Sequence, residues 1–288
     1  MIALLLSSPG SKANFFVWVV YIFQQYWPLF LEGCKTTFFL ALTGTILGCV
    51  IGLMIGVLRT IPKPKKGNGS NFFTRAAYKI LQFILLTYIE IFRGTPMIVQ
   101  AMVVYYGMSY VGVDLPAMMA GFLVVSINTG AYMAETVRGG IESISIGQTE
   151  AAKALGMTHW QTMVSVVLPQ TFRNILPQIG NNLIINIKDT SVLNVIAVTE
   201  LFFNTKSAAG IYYRYFESFF IASILYFIMT FTCAQILRWI ERKIDGSGFY
   251  KLVDAPVDPM TDPSGTLATK SSPITRKVSL RGMHAWTK

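Results

Sequence analysis

Residues 139–169 read GGIESISIGQTEAAKALGMTHWQTMVSVVLP, the one sizeable polar segment between two long apolar runs that is not built like a linker. Two helices are legible in it. Ser145-x-x-Gln148 has the form of a capping box, in which two side chains satisfy free backbone amides, and it opens a run from Thr149 to Leu155. Gly156 stands where a left-handed C-cap is wanted, since glycine takes positive φ without a Cβ clash. Thr158-x-x-Gln161 offers a second box for a helix reaching Leu168, with Pro169 next. A helix lying on lipid would be rich in Lys and Arg opposite bulky apolar residues. The first helix instead presents Ala151, Ala152 and Ala154, small residues suited to close contact with a partner protein.

The segments around this loop read as membrane. Of 288 residues, 53% are hydrophobic and only 13% charged, and mean hydropathy is +0.50. A soluble domain carries about 25% charged residues. The net charge of +10 gathers beside apolar runs and in the tail, as cytoplasmic flanks do, so no nucleic-acid partner is expected. Cys34, Cys49 and Cys233 lack metal-ligand spacing and read as small apolar packing residues; no metal is expected. The N-terminus shows neither a basic n-region nor a small-residue cleavage site, so no signal peptide is expected.

Residues 1–31 read as an external segment whose Trp18, Tyr21, Tyr26, Trp27 and Pro28 suggest an interfacial helix, with an extra span as the alternative. About five spans follow in a membrane domain at 32–244. Thr36–Leu58 is uncharged, and Gly44, Gly48, Gly52 and Gly56 share one face for close helix packing. The short basic loop Arg59–Lys79 puts that end in the cytoplasm and the N-terminus outside. Ile80–Val111 is crossed by Glu90, Arg93, Gly94 and Pro96. The two charges, three residues apart, can neutralise each other, and Pro96 should kink the helix. Leu115–Ala134 ends at Glu135 and Arg138 near the cytoplasm, and Thr171–Thr199 carries Lys188 and Asp189. Glu200–Glu217 reads as an external loop of mixed charge, and Ser218–Leu237 as the last span, closed by Arg238, Arg242 and Lys243. Residues 245–288, rich in Pro, Ser and Thr, read as a disordered cytoplasmic tail.

No catalytic constellation is legible. His159 and His284 have no partnered cysteine or carboxylate, and no phosphate-cradling glycine loop runs into Gly-Lys-Ser/Thr. An enzyme in the membrane therefore lacks candidate residues, and this chain is not expected to hydrolyse ATP itself. Asn182, Asn186 and Asp189 stand at i, i+4 and i+7 on one helix face, with Lys188 and Thr190 beside them. Asn128 and Tyr132 give the third span a smaller polar face. Such groups are costly at membrane depth unless paired or facing a water-filled path. They either bond between helices or line a polar path, and the second reading is preferred.

Glu150-Ala151-Ala152, three residues, Gly156, nine residues, Val166, one residue, Leu168-Pro169 resembles the EAA motif of binding-protein-dependent ABC importer permeases, with valine at a usual isoleucine. Other segments resemble the polar amino-acid subfamily, the histidine, glutamine and arginine type. They are Glu90-Ile91-Phe92-Arg93-Gly94-Thr95-Pro96 with Val99-Gln100, Gly130-Ala131-Tyr132-Met133-Ala134-Glu135 with Arg138-Gly139-Gly140, and Lys188-Asp189-Thr190-Ser191. The resemblance covers roughly Leu31–Ile244. It implies an all-α integral membrane protein of the type I importer (MetI-like) fold in the bacterial plasma (inner) membrane. It further implies a second permease subunit, like or unlike, a dimer of separate ATPase subunits holding ATP-Mg, an external substrate-binding protein, and a polar amino acid as cargo. No cofactor is implied on this chain. By the same resemblance Glu150, Ala151, Ala152, Gly156, Leu168 and Pro169 belong to a loop seated on the ATPase, and Asn128, Asn182 and Asp189 match positions around a bound amino acid. Some importers of cationic amino acids carry glutamate where Asn182 stands, so one counter-charge for a cationic side chain is missing here. A secondary transporter driven by an ion gradient is the alternative, and it would show paired repeats with broken helices in both halves. One Pro-interrupted span and no repeat are seen.

Overall fold

The computed structural model describes residues 9–10, 13–64 and 72–245. Residues 65–71 of the basic loop and, apart from Asp245, the expected tail lie outside the described residues. The described chain is helical throughout, which the long apolar runs require: in lipid each backbone amide must find its partner within the segment.

Helix α1 (Phe15–Arg59) is one continuous helix of 45 residues, about 68 Å long, whereas the hydrocarbon core is about 30 Å thick. The separate interfacial segment expected at 1–31 is therefore corrected: residues 15–31 are the first third of α1. Of the aromatics expected at a lipid boundary, Trp18, Tyr21 and Tyr26 pack within the fold, whereas Trp27 stays exposed. Trp18, Ile22 and Phe30 are buried in one cluster with Leu201, Ala208 and Ile221, and Pro28 is carried inside the helix.

The glycine face of α1 lies against α4 (Ala117–Glu142). A Cβ at Gly44, Gly48, Gly52 or Gly56 would come closer than 3.0 Å to Val125, Thr129, Met133 or Val137 respectively. Each step of four on α1 meets a step of four on α4, so the helices run parallel and in register. At their shared end the Arg59 guanidinium pairs with Glu135, which also accepts from Arg138 at 2.8 Å, and Arg138 reaches Glu142 at 2.7 Å.

In the chain, α2 (Phe72–Gly94) and α3 (Met97–Tyr110) separate α1 from α4. The kink expected at Pro96 is a full break, with Pro96 extended (φ −62°, ψ 137°) as the residue before α3. Gly94 and the pre-proline Thr95 both disfavour helix there. Gln100 ties the break: its amide donates to Phe92 O, Thr95 O and Thr95 Oγ1, each at 2.9 Å, satisfying carbonyls a helix end leaves free.

The loop after α4 holds α5 (Ile146–Ala154) and α6 (His159–Thr162). A π turn at Met163–Val167 then joins α6 to α7 (Leu168–Asp189). The helix expected to stop before Pro169 thus runs on into the next span. Pro169 has no N–H and would crowd the carbonyl four residues back. The wider π turn relieves this, with the Leu168 N–H reaching Met163 O.

A 3₁₀ turn, Thr190–Ile196, follows α7 and ends at Ala197 in the left-handed region (φ 62°). The external loop expected at Glu200–Glu217 is mostly helix α8 (Leu201–Tyr212), and α9 (Tyr215–Asp245) closes the fold. Glu200 is fully buried because it is an N-cap. Its carboxylate accepts from Phe202 N and Phe203 N at 2.8 Å and from Tyr226 Oη at 2.9 Å, and the positive helix end favours its charge. By length and apolar composition α1, α4 and α9 can each cross a membrane.

Candidate functional site

Three elements converge on a cavity of about 510 Å³. From α7 come Asn182, Ile185, Asn186 and Asp189, spaced so that one face of the helix presents them all. From α4 come Asn128, Thr129 and Tyr132. The α2–α3 break supplies Arg93, Gly94, Thr95, Pro96 and Met97, which a continuous helix could not fold back over the opening. Five of the six residues expected to line a path are therefore brought together. Thr190 is not: it is fully buried, donates to Ile187 O at 3.1 Å, and serves the turn that ends α7.

The amides have unequal roles. Asn186 is buried and donates to Thr45 Oγ1 at 2.8 Å and Thr129 Oγ1 at 3.0 Å, so it bonds α7 to α1 and α4 at once. Asn182 Nδ2 donates back to Gln178 O at 3.0 Å and touches Met133 Sδ at 3.2 Å. Asn128 Nδ2 donates to Gln100 Oε1 at 3.0 Å and Phe92 O at 3.2 Å, which pins the α2–α3 break to α4. These amides bond between helices and also line the cavity.

The charges are free to meet a ligand. Asp189 and Lys188 are exposed and, among the described residues, neither forms an ion pair. The neutralisation expected between Glu90 and Arg93 does not occur either: both are exposed and, among the described residues, neither forms an ion pair. Arg93 instead lies over the Tyr132 ring, 5.6 Å from its centroid, which holds the guanidinium at the cavity. Sequence reasoning assigned Arg93 to helix structure and passed over Gln100 as a positioning group. The signal for both was the break at Gly94–Pro96, which releases carbonyls that a buried amide must satisfy.

The loop is a compact object of its own. Gly156 has φ +80°, as its place predicts. The Thr158–Gln161 box forms in both directions, with Thr158 N to Gln161 Oε1 at 2.8 Å and Gln161 N to Thr158 Oγ1 at 3.3 Å. The Ser145–Gln148 box does not form, because the Gln148 amide already donates to Ser145 O at 3.0 Å. Ala152 is buried where α5 packs on α6 and the π turn, while Glu150, Ala151, Gly156 and Pro169 are exposed and Leu168 is half-buried. Ile146, Leu155, Trp160 and Val164 are also exposed, Leu155 to 83%. A loop with that much uncovered apolar surface fits a protein partner.

Residues 72–246 match the family described as binding-protein-dependent transport system inner membrane component. The chain belongs to this family. The match takes in the whole cavity lining and the loop, whereas α1 precedes it. The glutamine transport system permease protein GlnP of Escherichia coli is 36% identical over 219 residues, covering 75% of this chain and 93% of that protein. The arginine transport system permease protein ArtQ of Bacillus subtilis is 30% identical over 218 residues, with the same coverages. Among solved structures, an amino acid ABC transporter crystallised with histidines aligns with a TM-score of 0.68 and 34% identity over 81% of this chain and 99% of that one. The MetNI methionine ABC transporter in an inward-facing conformation, 20% identical with a TM-score of 0.59, shares the fold.

Proposed function

We propose that the cavity between α4, α7 and the α2–α3 break carries a polar amino acid through this family member, and that the 139–169 loop receives the driving motion from a separate ATPase. The chain is the permease subunit of an amino-acid ABC importer. The observation that carries the substrate reading is the pairing of Arg93 and Asp189 on one cavity without an ion pair between them. A free amino acid is a zwitterion, and its carboxylate and ammonium match a guanidinium and a carboxylate held apart. The neutral Asn128 and Asn182 favour an uncharged polar side chain between them.

The loop drives the cavity mechanically. From His159 to Asp189 the chain is one helical run interrupted only by the π turn, so a displacement of α6 reaches Asn182 and Asp189 through hydrogen-bonded backbone. Coupling requires such an element, biased at one end by the ATPase and at the other by substrate. In this reading two ATPase subunits bind ATP-Mg on the cytoplasmic side, a second permease subunit completes the path, and a binding protein delivers the amino acid from outside. The N-terminus is outside and α9 ends in the cytoplasm, in keeping with Arg59, Arg238, Arg242 and Lys243 at one boundary.

The test is to reconstitute the assembled transporter with its binding protein and screen amino acids for stimulated ATP hydrolysis and uptake. Asp189→Asn is expected to lower uptake while the complex assembles normally. Normal transport kinetics in that variant would make Asp189 a structural residue and remove the zwitterion reading.

A further inference from the structure

A second cavity, about 660 Å³, runs between α1, α7 and α9 and shares no lining residue with the first. Its wall is almost wholly apolar, with Phe38 and Leu42 on α1, Leu183 on α7 and Ile236 on α9. Besides the Thr232 hydroxyl, its polar group is Lys35, which is exposed and, among the described residues, forms no ion pair, with Glu32 one turn away included.

The register of the helices places this lysine relative to the membrane. Gly44 faces Val125 on the parallel α4, so nine residues earlier Lys35 is level with Pro116, where α4 begins. The other end of the same pair is the Arg59–Glu135–Arg138 cluster. Lys35 and Arg59 are 24 residues apart, about 36 Å along the helix, which matches a hydrocarbon core of about 30 Å with its boundaries. Lys35 therefore stands at headgroup level on the side opposite Arg59. α1 and α9 run in the same sense, since Phe30 packs with Ile221 and Ala41 with Cys233. The groove accordingly extends from Lys35 along α9 from Ile228 to Ile240. That is about 18 Å, close to the depth of one leaflet.

We propose that this groove binds one acyl chain of an anionic phospholipid, with the headgroup phosphate on the Lys35 ammonium. An apolar channel of leaflet length ending at an unpaired cation fits that molecule in both chemistry and dimension. A facing permease helix would cover the same apolar wall, and the assay below separates that occupant from lipid.

The assembled transporter, purified in mild detergent, is mixed with phosphatidylglycerol or phosphatidylcholine of identical chains, and retained lipid is counted by native mass spectrometry. Wild type is expected to retain phosphatidylglycerol about fivefold better, as one basic contact gives. Lys35→Gln should erase that preference, Ile236→Trp should lower retention of both lipids by filling the groove, and glycerol phosphate alone should not compete. Equal retention of both lipids by wild type overturns the proposal. So does unchanged retention by Ile236→Trp, full competition by glycerol phosphate, or dissociation of the permease pair in Ile236→Trp, which would make the groove a subunit interface.

Discussion

Alanine at Gly52 is expected to destabilise the protein far more than alanine at Gly121, although both glycines are buried, Gly52 on α1 against α4 and Gly121 on α4 itself. A Cβ at Gly52 meets main chain, with Met133 C at 2.8 Å and Ala134 N at 2.9 Å, as well as Met133 Cβ. Ordinary contact begins at 3.4 Å, so the two backbones must part by about 0.6 Å, and a gap of that size forfeits roughly a quarter to a half of each atom pair's dispersion energy. This loss falls on the most extensive helix pair in the fold. Overpacking of this kind costs about 1–3 kcal/mol, and alanine's better helix propensity returns less than 1. The net expectation is a loss of about 2 kcal/mol, a drop of about 4–8 °C in the unfolding midpoint for a chain of this size. At Gly121 the nearest atom is the Leu193 Cδ1 tip at 3.2 Å, which can yield, so Gly121→Ala should be neutral or slightly stabilising. The assay is thermal unfolding of the purified complex in lipid nanodiscs, with both variants side by side. A Gly52→Ala variant as stable as wild type, or an equal loss at Gly121, refutes the close backbone approach.

Thr158→Ala should lower loop stability by about 1 kcal/mol while Ser145→Ala changes little, because only the first has a formed cap; hydrogen exchange at the loop amides reads the difference. Gly156→Val forces a β-branched residue to φ +80°, at a cost of about 1–3 kcal/mol, and is expected to reduce ATPase association and uptake. Unchanged uptake with normal association would sink the coupling assignment. Asn186→Leu removes two interhelical bonds, worth about 1 kcal/mol together in membrane, and should depress uptake more than that loss explains; uptake normalised to folded protein checks it.

Helix existence was legible where hydrophobic length alone decides it, as in α4 and α9, and boundaries were not. The aromatics of residues 15–31 look the same whether they meet headgroups or pack on another helix. Only the partner, the Leu201–Ala208 face of α8, distinguishes the two. Glu200 and Glu217 suggested a solvated loop because charge usually means water. The Glu200 carboxylate is instead held by amides of the helix it caps, a contact that a count of charges does not register. Ser145 and Thr158 show the limit of motifs: identical patterns, one box formed and one pre-empted by a backbone bond.

The site was legible to the extent that it obeys helical periodicity. Asn182, Asn186 and Asp189 share a face by spacing, and they share a cavity in the fold. Arg93 could not be placed the same way, because its position depends on a break whose geometry Gln100 and Asn128 determine from two other helices. That dependence is also what makes the arrangement suited to transport. Asn128 belongs to α4, which is welded along its length to α1, whereas Asp189 ends the run that begins in the exposed loop. The cavity therefore has one wall fixed to the rigid α1–α4 pair and another continuous with the loop. A push on α6 must change the distance between them or be absorbed at the π turn, and the buried Asn186 bonds to Thr45 and Thr129 mark the contact across which that motion has to pass.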